Sequence, residues 1–376
     1  MAHVYLGRAR DHLGQERVAA IKVMRHDFGG DDQALHMFLD EAKLLSRLSH
    51  PNIIQTLEFG TSGEDPHPFI AMELLLGRTV MDVWERCIEE NIALRFDVAA
   101  WIAARIADGL HHAHELTDEA GGALHLIHRD VNPSNIFLSF DGKVKLFDFG
   151  LAKASSRRTQ SSAGIVKGKL PYLSPEQIME LPLDRRSDVY TLGTTLWEMA
   201  TMRRLFKREN DVETVRAVRS AAIPDPRALV PELPEALARI ILRSLERNRE
   251  HRYKTARELA LDLDDFLTRI GPPDLSTVIP AILDRLFPGE RARQMGWLKS
   301  ASGPQTPRST LTPPIPFPLQ RAPGEPSIPP SSGAGTPVST PPSIPPSMPR
   351  SGPSSAPTSS PSTLRSVAPE APKPRK

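Results

Sequence analysis

Apolar and polar residues alternate in short runs along the first 75 residues. Val4-Tyr5-Leu6 and the segments 17–24, 53–59 and 69–74 are rich in β-branched or aromatic side chains and bounded by turn formers, which predicts strands. One 3.6-residue stripe interrupts them. It runs from Leu35 through Phe38, Leu39, Ala42, Leu45 and Leu48, and it predicts a helix with Glu41 beside its apolar seam. After Gly77 the period becomes helical. Segments 79–90, 95–116, 175–180, 184–202, 210–221, 234–246, 255–270 and 278–287 read as helices, the second of them strongly apolar along one side (Val98, Ile102, Ile106, Leu110). One hairpin stands among them: 136–140 and 143–147 flank Asp141-Gly142, a pair favoured in two-residue hairpin turns. The predicted order is a small β-rich lobe (1–75), a larger helical lobe (76–270) and a helical extension (271–299).

Composition changes abruptly after that. Residues 301–376 hold 22 of the chain's 37 prolines and 22 Ser or Thr, but one aromatic, Phe317. Such a segment cannot bury enough apolar surface to offset chain entropy, so 300–376 is expected to be a disordered tail. It carries seven Lys/Arg against two acids, so of the whole chain's +2 the first 300 residues carry −3. A weakly acidic body argues against a nucleic-acid platform. No apolar run reaches the roughly 18 residues of a membrane span, and MAHVYLGRAR lacks the hydrophobic stretch of a signal peptide. The single Cys87 excludes an internal disulfide and a cysteine zinc site. The expectation is a cytoplasmic protein, with the Pro-rich tail as a tether or as a polyproline segment for a partner.

Candidate chemistry gathers around the hairpin. If 141 and 142 form the turn, Asn135 and Asp148 face each other across its base, about 4.5–5.5 Å apart at Cα. An amide oxygen and a carboxylate converging there suit Mg²⁺, which takes few protein ligands beside phosphate and water oxygens. Asp130 lies five residues before Asn135. One carboxylate for a substrate proton and two oxygen ligands for a metal make a phosphoryl-transfer constellation. His111, His112 and His114, at a helix end, read as core or solvated side chains.

These residues carry a family resemblance. His128-Arg129-Asp130-Val131-Asn132-Pro133-Ser134-Asn135, Asp148-Phe149-Gly150 and Ser174-Pro175-Glu176 resemble the catalytic loop, metal motif and activation-segment end of the eukaryotic-like (Hanks-type) serine/threonine protein kinases, bacterial in flavour. Ala20-Ile21-Lys22, His50-Pro51-Asn52, Asp188-Val189-Tyr190 and Arg252 fit the same series in order. The resemblance implies an α+β, two-lobed kinase fold and transfer of the ATP γ-phosphate to Ser or Thr hydroxyls of proteins. It implies ATP and Mg²⁺ as cofactors. Lys22 would hold phosphates and Glu41 would hold Lys22. Asn135 and Asp148 would bind Mg²⁺, and Asp130 would take the hydroxyl proton. Met72 would stand behind the adenine, main-chain groups of Glu73 and Leu75 would hydrogen-bond it, and Val4, Ala20 and Phe137 would sandwich it. Glu176 would pair with Arg252. Arg129 implies a phosphate partner, with Ser155, Ser156, Thr159, Ser161 and Ser162 as candidate acceptors that Lys153 could also contact.

The sequence departs from the family twice. Val4 fits the last residue of the glycine-rich loop and Ala2 its third glycine, so the first two glycines and the preceding strand are absent. The expectation is a start codon placed too late or a gene fragment; the alternative is a weakened kinase. The second departure is Asn132, where serine/threonine members carry Lys, with Lys169 where they carry Thr. Either the charge has moved and Lys169 neutralises Asp130 from across the loop, or Lys169 is a solvated loop lysine. Two competing functions stay open: a pseudokinase or scaffold with impaired nucleotide binding, and a small-molecule phosphotransferase.

Overall fold

Strand signals near the N-terminus resolve into one antiparallel sheet. β1 (Ala2–Arg10), β2 (Glu16–Met24), β3 (Thr56–Ser62) and β4 (His67–Glu73) pair in the order β1-β2-β4-β3. The computed structural model describes residues 2–10, 13–24, 42–62, 67–149, 169–271 and 274–302. Glu41 and most of its predicted helix, Gly150, Lys153, the five candidate phosphate acceptors and the tail from 303 lie outside the described residues; residues 42–46 are helical.

Register decides what this sheet presents. Val4 pairs with Lys22 and Lys22 with Ile70, while Leu6 pairs with Ala20 and Ala20 with Met72. Directly opposed residues share a face, so Val4, Ala20, Lys22, Ile70 and Met72 stand on one side. Ile70 and Met72 bury there against Ala42.

A second sheet, β5 (Gly77–Thr79), β6 (Ile136–Ser139) and β7 (Val144–Leu146), lies within the helical lobe. Its hairpin corrects the sequence reading by one residue. Ile136 pairs with Leu146 and Leu138 with Val144, and Ser139 N–H donates to Lys143 O. The loop is therefore three residues, Phe140-Asp141-Gly142. Gly142 takes φ +81° and closes it, as a three-residue hairpin with glycine in the left-handed position requires. The partner of Asn135 is Phe147, whose N–H donates to Asn135 O at 3.1 Å, and not Asp148.

The helical lobe is built on two deeply buried helices. After α1 (Val80–Glu89), α2 (Phe96–His114) buries most of its circumference, because alanines (99, 100, 103, 104, 107) fill the faces between Val98, Ile102, Ile106 and Leu110. The buried side is wider than the stripe read from the sequence, and Trp101, Arg105, Asp108 and His112 keep one face of the helix partly exposed. α3 (Pro175–Ile178) leads to α4 (Arg186–Thr201), buried from Ser187 to Thr201. Thr191, Thr194, Thr195 and Thr201 satisfy their hydroxyls on carbonyls three or four residues back, which makes polar residues tolerable there. α5 (Asp211–Ser220), the unpredicted α6 (Pro226–Leu229), α7 (Glu235–Ser244) and α8 (Ala256–Ile270) complete the lobe.

The extension forms two helices, α9 (Leu275–Leu286) and α10 (Glu290–Ser302), where the sequence predicted one. Leu275, Ile279, Leu283 and Leu286 of α9 join the main core of the lobe. Thr79 caps α1 through a capping box with Asp82, each side chain accepting the other's N–H at 3.0 Å. Thr79→Ala should cost about 1 kcal/mol of stability, read by urea denaturation.

Candidate active site

The loop 128–135 is held from beneath by one carboxylate. Asp188 on α4 is 0% exposed. It accepts the main-chain N–H groups of His128 and Arg129, each at 2.8 Å, and His114 Nε2 at 2.8 Å. Burial would raise its pKa, but these donors, His114 first, hold it below the ordinary carboxylate range. Arg129 sits at φ +67°, so the chain bends sharply just before Asp130. Burial pushes the His128 imidazole pKa down. Its Nδ1 accepts the Asp130 N–H at 3.2 Å and its Nε2 lies 3.2 Å from Phe147 O. That pattern fits a neutral ring with the proton on Nε2, serving as packing and scaffold.

The residues singled out from sequence meet in two groups. In the first, Lys22 Nζ lies 2.5 Å from Asp148 Oδ1, with both side chains about a quarter exposed, at 27% and 23%. Asp148 adopts φ +58° directly after Phe147. This left-handed turn takes the chain out of the hairpin path and brings the carboxylate to Lys22 rather than to Asn135. Phe149 packs on His128, ring centroids 4.5 Å apart.

In the second group, Asp130 is almost enclosed. Its Oδ2 receives Lys169 Nζ at 2.5 Å and its Oδ1 receives Asn132 Nδ2 at 3.2 Å. Asn132 also donates to Asp130 O and accepts Ser134 N–H, each at 2.9 Å. Asn135 Nδ2 donates to Asp130 O at 2.7 Å, so its Oδ1 is the side-chain atom that could accept or ligate. An amide oxygen and a carboxylate of this kind fit the sparse oxygen coordination of Mg²⁺.

The expected adenine wall is apolar. Ala20, Met72, Leu75 and Phe137 are buried, and Leu75 clusters with Phe137 and Phe147. Val4 is half-buried on the face it shares with Ala20 and Lys22.

Sequence reasoning missed one ion pair here. Lys145 on β7 meets the Glu73 carboxylate and donates to Ile53 O at 3.1 Å, while Glu73 Oε1 also accepts Gln55 N–H at 2.8 Å. The available signal was a lysine between Val144 and Leu146 in a strand buried on both faces.

The segment after Lys169 is anchored twice. Arg252 grips Glu176 with two hydrogen bonds of 2.7 and 3.1 Å, and Gln177 Nε2 donates to Arg129 O at 2.8 Å.

The protein kinase domain model matches residues 1–262. The chain is 38% identical over 268 residues to the tyrosine-protein kinase MasK of Myxococcus xanthus, covering 71% of this chain and 41% of that protein. It is 33% identical over 263 residues to the serine/threonine-protein kinase PrkC of Bacillus subtilis (70% and 38%). It is 32% identical over 265 residues to PknL of Mycobacterium tuberculosis (70% and 63%). The crystal structure of the M. tuberculosis PknI kinase domain superposes with a TM-score of 0.52 at 26% identity, covering 72% of this chain and 92% of that one. The chain belongs to the protein kinase family, and it resembles bacterial members throughout this set. It spans between 38% and 63% of the length of these three curated relatives. Among the described residues no helix is long and apolar enough to cross a membrane.

Proposed function

We propose that this chain is an ATP-dependent protein kinase that transfers the γ-phosphate to serine and threonine hydroxyls. The observation that carries the reading is the Asp130 carboxylate, gripped by Lys169 and Asn132 within the loop that Asp188 holds rigid. Asp130 orients an acceptor hydroxyl and takes its proton as the phosphoryl group arrives. The Lys169 ammonium balances charge beside it. Asn135 and Asp148 would hold Mg²⁺, which when bound offsets charge on the phosphates. Lys22 would hold the α- and β-phosphates, with Glu41 as its expected partner. Met72, Glu73 and Leu75 would seat the adenine, between Val4 and Ala20 above and Phe137 below.

The Glu176–Arg252 pair supports a protein acceptor, because it fixes a segment on which a polypeptide can lie. The cytoplasm is the compartment this reading implies, and the Pro-rich tail is its tether. The test is transfer of label from γ-labelled ATP to a protein substrate, followed by acid hydrolysis. Phosphoserine and phosphothreonine are expected, and chelation of Mg²⁺ should remove them. Phosphotyrosine alone would overturn the hydroxyl class. Labelled sugars but never protein would favour a small-molecule phosphotransferase, and nucleotide binding without transfer a pseudokinase.

A further inference from the structure

The segment joining the small sheet to the helical lobe ends at Gly77, and α10 reaches back to hold it. Gly77 begins β5, whose inner edge pairs with β6. On its other edge the Gly77 N–H donates to Gln294 Oε1 at 2.8 Å, and Gln294 Nε2 donates to Gly77 O at 3.1 Å. One side-chain amide thus supplies both bonds that a neighbouring strand would make. Gln294 is 2% exposed, so losing it would leave two buried main-chain groups without partners.

The amide is not free to turn over. Its Nε2 also donates to Glu290 Oε1 at 2.6 Å, and a carboxylate can only accept. Glu290 is itself pinned by Arg78 at 2.9 Å and by Arg293 at 2.7 Å. Around this point Arg86 Nε donates to Leu286 O at 3.1 Å, the Arg78 guanidinium lies 4.9 Å from the centre of the Phe287 ring, and Phe140 N–H donates to Leu76 O at 2.8 Å. Gly77 has no room to adapt, since a Cβ there would collide with Leu138 O.

The same helix also packs against β2, the strand that carries Ala20 and Lys22. It therefore lies beside the strand that carries Lys22, the expected phosphate lysine, and holds the exit of the segment expected to meet adenine. Both helices of the extension lie beyond residue 262, where the kinase-domain match ends.

We infer that α9–α10 is a strap belonging to the nucleotide site, and that Gln294 is a positioning residue which sets the 73–77 segment for ATP. This rests on the kinase reading above. Gln294 touches no expected ligand atom; it acts through Gly77. The strap holds a distance between two anchors of one ligand, so loosening it weakens nucleotide binding more than it slows the chemical step.

The experiment uses the full chain with Gln294→Leu, and with Glu290→Gln as a milder variant in case the first folds poorly. Two readouts are taken: hydrogen exchange of the 73–79 segment without nucleotide, and the Kd and KM for Mg²⁺·ATP. Gln294→Leu should speed exchange at Gly77 and raise KM for ATP about tenfold, which is about 1.4 kcal/mol, with kcat within about twofold of the unsubstituted chain. Glu290→Gln should move both readouts in the same direction by less. Faster exchange with unchanged Kd and KM would overturn the inference, leaving Gln294 purely structural, and so would unchanged exchange. Failure of the unsubstituted chain to bind nucleotide would overturn the kinase reading and this inference with it, while exchange at Gly77 would show separately whether Gln294 clamps the segment.

Discussion

Lys169→Met is expected to lower kcat by about 10²–10³-fold while leaving KM for ATP near its original value. Asp130 is nearly buried, and a carboxylate taken out of water needs a cation beside it. Lys169 Nζ, 2.5 Å from Asp130 Oδ2, is a cation that the structure brings to that carboxylate. Asn132, which stands where the resemblance expects a lysine, supplies a hydrogen bond to Oδ1 but no charge. Unit charges about 4 Å apart are worth roughly 4 kcal/mol at an effective dielectric near 20. Lys169 is a quarter exposed, so solvent takes part of that, and about 3–4 kcal/mol in the transition state corresponds to the stated loss. Methionine keeps the length of the stem and removes only the ammonium. Asn132→Lys combined with Lys169→Thr moves the charge back to the family's usual place and should recover most of the turnover. Full turnover in Lys169→Met, or no recovery in the double variant, would show that the lysine is not a functional replacement.

Much of this arrangement was legible in the order and spacing of motifs, because each residue type is dictated by a local job. Asp188 must accept three donors at once in a site sealed from water. Arg252 must meet an acid because its guanidinium is sealed from water. Register was harder to read. Asp141-Gly142 suits a two-residue turn, yet Ser139 Oγ accepts the Lys143 N–H at 2.8 Å, and the chain closes one residue wider. The direction of the Asp148 carboxylate then depends on a left-handed residue at 148, which sequence alone does not announce. The choice between a solvated and a paired Lys169 was open in the sequence, because only the folded loop shows how near the two segments pass. α10 was not separated from the rest of the extension for a different reason. Its sequence, ERARQMGWLKSAS, has no apolar stripe, and it is held by Glu290 and Gln294 rather than by a hydrophobic face. Pattern reading detects helices that bury oil, and this one buries a carboxylate and an amide.

Glu176→Gln should destabilise the fold by about 3–5 kcal/mol. The Arg252 side chain is 0% exposed, stacks 4.5 Å from the centre of the Tyr190 ring and donates from Nε to Glu246 O at 2.6 Å. Its charge is met at Glu176, where Ser187 Oγ also donates at 2.7 Å. Glutamine keeps the shape but leaves a buried cation facing a neutral amide whose NH₂ can only repel it. Removing both charges together, with Glu176→Met and Arg252→Leu, should cost clearly less than the single change, since no uncompensated ion remains. Acid pH gives an independent measure. Burial alone would raise the Glu176 carboxyl, but Arg252 and Ser187 hold it below its ordinary value. The pair's stabilisation is therefore complete above the unfolded-state value of about 4.3 and is lost as pH falls through the lower folded-state value. The native chain should lose stability steeply below about pH 4.3, and Glu176→Gln should flatten that part of the curve in urea titrations at several pH values. A curve of unchanged slope would mean that Glu176 is not charged in the fold. Because α3 also carries Gln177, whose amide holds Arg129 O, residual transfer activity in Glu176→Gln should fall in step with the loosened end of the segment. At a temperature where the variant remains folded, that loss would separate a role in acceptor positioning from simple unfolding.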